Sequence, residues 1–329
     1  MARTMPSNKP SFFNALNSAP DSSLQDLSQG LLAQAAHCSP KYFYNALGST
    51  LFDAITHLPE YYLTRTETAI FSVHAQAIHA QIPEQAAWLD LGAGSCEKAA
   101  RFFERTPPGL YVAVDISLTY LTDTLERLQR EYPQVPMVGV GMDFSSVLTF
   151  APVLQAQVLA RPVFAFYPGS SLGNFDPVQA LGFLQRIVAV CKAAKPGSGL
   201  LIGIDLVKDA AVLERAYADD LGVTAAFNLN VLRHMNTLIG TDFDVRDWQH
   251  LAWFNVKESR IEMHLQARRA VTVSWSGHQR VFRQGETIHT ENSYKWTVEK
   301  FSKLLRSAGF TQTQHWTDRQ EQYAVFWAS

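Results

Sequence analysis

The chain is short of most features that announce a partner. Only 18% of its 329 residues are charged, 28 basic against 30 acidic for a formal net charge of −2. There is thus no basic field for nucleic acid or for an anionic membrane. Its three cysteines, Cys38, Cys96 and Cys191, are odd in number, far apart and without a Cys-x-x-Cys pair, which argues against a disulfide framework and against a zinc site. The ten histidines include no HExxH, and His57, His234, His250 and His264 share no helical spacing, so no metal is expected. Apolar runs such as 187–191 and 200–204 stop far short of the roughly 20 residues of a membrane span. The amino terminus carries Pro6 and Pro10 around polar residues and has no apolar signal core, so residues 1–11 read as a flexible lead and the protein as cytoplasmic. Internal repeats are missing too. What remains is a globular chain with 47% hydrophobic residues, long enough for about two domains and expected to work as a monomer on a small molecule.

What is present is concentrated between Trp88 and Ser117. Residues 88–98 read WLDLGAGSCEK: an apolar strand ends in a Gly-x-Gly turn at Gly92 and Gly94, and 111–117, YVAVDIS, follows as a second strand. Glycines in such a turn let backbone amides approach a ligand, and an acid ending the second strand, Asp115, can accept from two ribose hydroxyls. The dinucleotide fingerprint needs a third glycine, and Glu97 stands in its place. A carboxylate there repels phosphate. S-adenosylmethionine, which has a ribose and no phosphate, fits better than NAD.

Around this pair the sequence alternates short apolar strands with helical stretches: 88–91, 97–104, 111–116, 118–132, 137–140, 162–167, 177–193 and 200–205. Such alternation predicts an α/β fold with a parallel sheet. The turn at 168–171 supplies a further carboxyl end to the crevice where open α/β sheets bind ligands. In GMDF, Asp143 and Phe144 follow the third strand, where a carboxylate can accept from an adenine amino group and an aromatic can lie on the base. Beyond Asp205 the pattern changes. Residues 210–235 read as helix, and 253–265 and 270–275 as strands of an inserted, partly antiparallel region. A helix at 297–308, stopped by Gly309, and a hairpin at 314–316 and 323–327 should rejoin the first sheet.

Several long blocks together resemble the histidine Nα-methyltransferases of ergothioneine biosynthesis: YNALGSTLFDAITHLPEYYLTRTE, LDLGAGSCEK, FYPGSSLGNF, LLIGIDLVKD, AYADDLGVTAAFNLNVL, RIEMHL and GETIHTENSYK. They run in the family's order from Tyr44 to Lys295. The resemblance implies a class I (Rossmann-like) S-adenosylmethionine-dependent methyltransferase domain over 65–207 plus 295–329, and a second, α+β substrate-binding domain over 12–64 plus 208–294. It implies three methyl transfers to the α-amino nitrogen of L-histidine, giving hercynine and S-adenosylhomocysteine. Two alternatives stay open at this point: another aromatic amino acid or histidine derivative as substrate, and a binding module that has lost turnover.

The resemblance also assigns residues. Gly92, Gly94, Lys98, Asp115, Asp143, Phe144 and Tyr61 match cofactor contacts. Asn174 matches the residue that holds the α-amino group, a role suited to an amide oxygen that accepts without charge, although an asparagine there could equally cap a turn. Tyr44 and Tyr217 match hydroxyls at the carboxylate and amino end, with Tyr44 and Asn174 nearest the chemistry. Glu291 and Ser293 match the pair that recognises the imidazole, while Thr224 and Met263 match the pocket and Phe52 an aromatic beside the methylated nitrogen. Taken singly, the tyrosines, Met263 and Phe52 would pass for core, and Glu291 for a surface residue.

Overall fold

Strands with every residue buried organise the molecule. The structure is a computed structural model and describes residues 9–15, 20–145 and 147–329. Residues 1–8 of the expected lead lie outside the described residues. The chain opens with β1 (Ser11–Asn14), α1 (Pro20–Leu32), α2 (Ala46–Thr56), α3 (Tyr62–Val73) and α4 (Ala75–His79). An alternating series follows: β2 (Ala87–Leu91), α5 (Glu97–Phe103), β3 (Leu110–Asp115), α6 (Leu118–Glu131), β4 (Met137–Gly141), α7 (Pro152–Leu159), β5 (Pro162–Tyr167), α8 (Pro177–Ala193) and β6 (Lys195–Asp205). Next come α9 (Ala210–Tyr217), α10 (Val223–Ile239), β7 (Trp248–Asn255), β8 (Arg260–Ala267), β9 (Val271–Trp275), β10 (His278–Phe282) and β11 (Thr287–Tyr294). The tail is α11 (Val298–Ala308), β12 (Thr313–Thr317) and β13 (Tyr323–Ala328).

One sheet carries the order β1-β4-β3-β2-β5-β6-β13-β12. From β1 to β6 neighbours pair in parallel, and β13 returns antiparallel between β6 and β12. This is the Rossmann-like α/β arrangement expected from the alternation, closed by the expected hairpin. Parallel strands must be covered on both faces. In β2, Trp88 joins one apolar layer while Ala87, Leu89 and Leu91 join the other. The Trp88 layer, with Phe102, Phe103 and Phe164, runs on into the core of the later region through Trp248, Met263 and Phe282. That region holds a three-stranded antiparallel sheet, β11-β8-β7, and the hairpin β9-β10. Strand order reverses beside β2, where the chain builds β3 and β4 on one side and then crosses to β5 and β6 on the other. Ligands of such sheets sit at that point, beyond the carboxyl ends of the strands.

Three local readings are corrected by the structure. The helix expected over 210–235 is two, because Gly222 turns the chain at φ +73° and the Asp219 carboxylate accepts from the Val223 and Thr224 N–H groups, starting α10 afresh. The strand expected over 253–265 is the hairpin β7–β8, turning at Ser259 with φ +54°. Ser11–Asn14, expected to be divided between a flexible lead and the substrate-binding part, pairs with β4 at the edge of the large sheet. Phe12 and Phe13 there pack against opposite layers, a period-2 signal too short to be read as a strand.

Gly199 in β6 is where the closing hairpin meets the sheet. A methyl group there would stand 2.4 Å from Cζ2 of Trp327 and 2.8 Å from the Ala328 carbonyl, and Trp327 is stacked on Phe164. Gly199→Ala is therefore expected to lower the melting temperature through overpacking of about 1–3 kcal/mol. In contrast, Gly182→Ala on α8, where the nearest atom is 3.7 Å away, should raise stability by about 1 kcal/mol through helix propensity. Thermal unfolding of both variants checks the pair.

Candidate active site

The carboxyl end of β2 breaks into a turn that only glycine takes without strain, Gly92 at φ +71° and Gly94 at φ +50°. A methyl group on Gly94 would meet nothing within 4 Å, so the turn faces open space. Asp115, at the end of β3, accepts from the Gly94 N–H at 3.0 Å and the Ser117 N–H at 2.9 Å. A carboxylate offers about four acceptor positions, so capacity remains for a ligand's hydroxyl. Burial raises this carboxyl above its ordinary range, with the backbone N–H groups of Ser117, Gly94 and Ile116 pulling the other way. Phe144 lies next to the turn, 3.6 Å from where a Cβ of Gly92 would be, and packs edge-on against Tyr167. Asp143 beside it accepts from the Ser145 N–H at 3.1 Å and from Lys41 Nζ at 3.4 Å. Glu97, the residue that replaces the third glycine, opens α5. The set fits a nucleoside with free ribose hydroxyls and no phosphate, as S-adenosylmethionine has.

Lys98 on α5 reaches back to Glu67 of α3, with 2.7 Å between Nζ and Oε2. Glu67 is 1% exposed, and its other oxygen accepts from the Gly169 N–H and the Tyr323 hydroxyl, both at 2.7 Å. One buried carboxylate thus ties α3, α5, the loop after β5 and the tail strand β13 together. The loop after β5 is bent by two left-handed residues, Gly169 at φ +81° and Ser170 at φ +60°, and ends in a short turn, Ser171–Asn174. Asn174 does not cap the next helix. Asp176 does, accepting from the Val178 and Gln179 N–H groups ahead of Pro177.

Between this loop and the later region lies a tight cavity of about 50 Å³ that opens to solvent. All eight residues matched to a substrate pocket line it: Tyr44, Phe52, Asn174, Tyr217, Thr224, Met263, Glu291 and Ser293. Tyr61, matched to the cofactor, stands on the same wall, its ring between those of Phe52 and Tyr217 at 6.3 Å from each. Phe227 and Ile55 complete the apolar side. Thr224 is buried on the cavity wall, its side chain beside the Asp219 carboxylate that its own N–H also reaches. Burial holds the Tyr44 and Tyr61 hydroxyls protonated, with acidic and tyrosyl neighbours adding to the effect.

Glu291 reaches the cavity because of a β-bulge. Ile288 lies opposite Leu265 and His289 opposite His264, yet Glu291 lies opposite Met263, leaving Thr290 as the extra residue. Without that insertion Glu291 would pair with Glu262 on the other face. One residue of slip reverses every side chain in a strand. Ser293, two residues on, shares the inward face, and its Oγ lies 2.7 Å from the Tyr217 hydroxyl. Lys295, wholly buried, donates to Ser293 at 2.8 Å and to Tyr217 at 3.1 Å, and pairs with Asp205 at 2.9 Å. Asp205 also takes Lys208 and the Tyr62 hydroxyl. Its burial works against ionisation, but Lys295 and Lys208 outweigh that and hold the carboxyl below its ordinary range. Reading single residues missed Glu67, Lys41, Asp205 and Lys295, although all but Lys41 fall inside the recognised blocks.

Burial pushes the Glu291 carboxyl up to about 8, against the opposing pull of Lys295. Between the ordinary carboxylate range and that value, the folded protein keeps a proton that the unfolded chain has lost. Folding stability from this group is therefore full at low pH and declines as pH rises, at up to about 1.4 kcal/mol per pH unit. Glu291→Gln does not titrate. Its melting temperature relative to the parent should climb from pH 5 to pH 8.5, and a difference independent of pH would show that Glu291 is not held protonated.

Comparison with known proteins identifies the family. The sequence profile of the family described as histidine-specific, S-adenosylmethionine-dependent methyltransferases matches residues 23–329. The chain is 36% identical over 310 residues to the histidine N-alpha-methyltransferase of Mycolicibacterium smegmatis, covering 92% of this chain and 94% of that protein. It is 38% identical over 300 residues to the histidine N-alpha-methyltransferase of Mycobacterium tuberculosis, covering 89% and 90%. To ergothioneine biosynthesis protein 1 of Neurospora crassa it is 32% identical over 285 residues, 83% of this chain and 31% of that longer protein. Among the described residues no helix is long and apolar enough to cross a membrane, and no group of His, Cys, Asp or Glu is placed to hold a metal ion. On these matches the chain belongs to the histidine-specific, S-adenosylmethionine-dependent methyltransferases.

Proposed function

We propose that the protein methylates the α-amino nitrogen of L-histidine three times to give hercynine, the first step toward ergothioneine. The observation that carries this is the convergence of Tyr44, Phe52, Asn174, Tyr217, Thr224, Met263, Glu291 and Ser293 on one cavity at the loop that follows β5. α1, α2 and the region from α9 to β11 form the substrate-binding part, and the large sheet with its flanking helices, α3 among them, forms the cofactor-binding part.

When bound, S-adenosylmethionine supplies an electrophilic methyl group to an amine that has lost its proton. Gly92, Gly94, Asp115, Asp143, Phe144, Lys98 and Tyr61 would hold it. An α-amino group has a reference pKa of roughly 7.7–8, so the site must favour the uncharged form. Asn174 accepts from the amine without adding charge, and desolvation there, together with the positive sulfonium of the bound cofactor, would disfavour the ammonium ion. The Tyr44 and Tyr61 hydroxyls, kept protonated by burial, pass a proton outward and do not act as strong bases. Holding the reactants in line at about 3–3.5 Å contributes up to ~7–11 kcal/mol, which makes positioning the main source of rate. Phe52 favours the cationic product by about 0.5–2 kcal/mol. At the far end Glu291 and Ser293 take the imidazole. A phenyl or indole ring would leave these buried groups unpaired, at roughly 1–3 kcal/mol each.

Incubation of the purified protein with S-adenosylmethionine and, separately, histidine, tryptophan, tyrosine and phenylalanine, followed by mass spectrometry of the products, tests the reading. A mass gain of three methyl groups on histidine alone is expected. Methylation of another amino acid in preference to histidine overturns the assignment of the ring site, and no methylated product from any of them overturns the enzymatic reading.

A further inference from the structure

The ring-recognising hydroxyls are not free rotors, and the reason is Lys295. An ammonium group has three N–H donors and no acceptor. Lys295 spends one on Asp205 Oδ2 at 2.9 Å, one on Ser293 Oγ at 2.8 Å and one on the Tyr217 oxygen at 3.1 Å. Its side chain and that of Asp205 are both without exposure, so water does not compete for these bonds. Ser293 and Tyr217 also bond to each other at 2.7 Å. That bond uses one of the two hydroxyl hydrogens. The two oxygens already accept from Lys295, so the remaining hydrogen has no acceptor within the cluster and must point into the cavity that both residues line. A phenolic oxygen, conjugated with its ring, is the poorer double acceptor, which favours Tyr217 donating to Ser293 and Ser293 donating to the cavity.

We infer that Lys295 is a positioning residue that fixes the polarity of the ring site: with its three bonds made, the Ser293–Tyr217 pair presents a single O–H donor and selects a ring with a bare, unprotonated nitrogen. Glu291, on the same strand face, serves the ring N–H. Only a neutral azole meets both demands. Indole carries a donor where the Ser293 side needs an acceptor, a phenol carries donor and acceptor on a single atom and not on two separate ring atoms, and phenyl carries neither. This inference rests on the proposed histidine reading and adds the residue that gives the site its sense of donor and acceptor. Asp205 holds Lys295 in place, with Lys208 and the Tyr62 hydroxyl as its other partners.

The test uses the full-length protein with S-adenosylmethionine and compares L-histidine as substrate with 3-(2-thienyl)-L-alanine, a five-membered ring without nitrogen, as competitor. Lys295→Met should raise KM for histidine at least tenfold with kcat changed less than threefold, and should leave the inhibition constant of the thienyl analogue within threefold. Adding Lys295→Met to Ser293→Ala should cost histidine little beyond Ser293→Ala alone, because the lysine acts through that hydroxyl. Equal weakening of histidine and the thienyl analogue, or additive losses in the double variant, would mean that Lys295 only neutralises Asp205, and the inference falls. If Lys295→Met does not fold, Asp205→Asn combined with Lys295→Met removes both charges and is read against the same two ligands. Failure of the parent protein to methylate histidine at all would instead sink the functional reading, whatever the variants do.

Discussion

A fully buried carboxylate has to be neutralised where it stands, and much of this molecule is arranged around one. Asp205 ends β6, at the carboxyl edge of the large sheet, with no exposure. Its partners come from three directions: Tyr62 at the start of α3, Lys208 just beyond its own strand, and Lys295 following β11. Removing one partner of such a pair typically costs about 3–5 kcal/mol, so these segments hold a common geometry. Through Lys295 that geometry passes to Ser293 and Tyr217, and so to the inner end of the cavity. Glu67 plays the matching part on the cofactor side, where it joins Lys98, the Gly169 amide and Tyr323. Two buried acids thus align the glycine turn after β2 with the cavity.

Specificity is then a matter of strand phase. Thr290 is an extra residue whose hydroxyl bonds to the Met263 carbonyl, and its insertion turns Glu291 inward. The same bulge puts Glu291 and Ser293 on one face and leaves His289 on the other, near His264 and Trp253. A carboxyl pushed up by burial toward neutrality, beside a serine pinned by an ammonium, gives the inner end of the cavity a defined pattern of charge and hydrogen. The wall of Phe52, Ile55 and Phe227 has no such pattern. In the proposed binding mode the amino acid has one polar anchor for its ring and another, at Asn174, for its amine.

How much of this could be read from the residues follows from how local each feature is. The cofactor side was legible because a Gly-x-Gly turn after a strand and an acid closing the next strand are short-range signals, and Gly92, Gly94 and Asp115 stand together as read. The large sheet was legible for the same reason, apart from the edge strand at Ser11–Asn14 and the helix at Pro152–Leu159, which are too short to declare a period. The cavity was not legible residue by residue. Its walls come from α2, the turn after β5, α9, α10, β8 and β11, and only the family's blocks connected them. Glu291 shows why: alternation along β11 puts it on the outer face, and nothing in TENS marks the bulge. Glu67, Asp205 and Lys295 were passed over because, in sequence, a buried ion pair looks like surface charge.

In the proposed binding mode the imidazole lies between Glu291 and Ser293 while the amine faces the cofactor turn past Asn174. A crystal structure of the protein with L-histidine and S-adenosylhomocysteine tests this. One ring nitrogen is expected within hydrogen-bond distance of the Glu291 carboxyl, the other within that distance of Ser293 Oγ, and the α-amino nitrogen beside Asn174. A ring lodged instead against Phe52 and Tyr44, with the amine at Glu291, would contradict it.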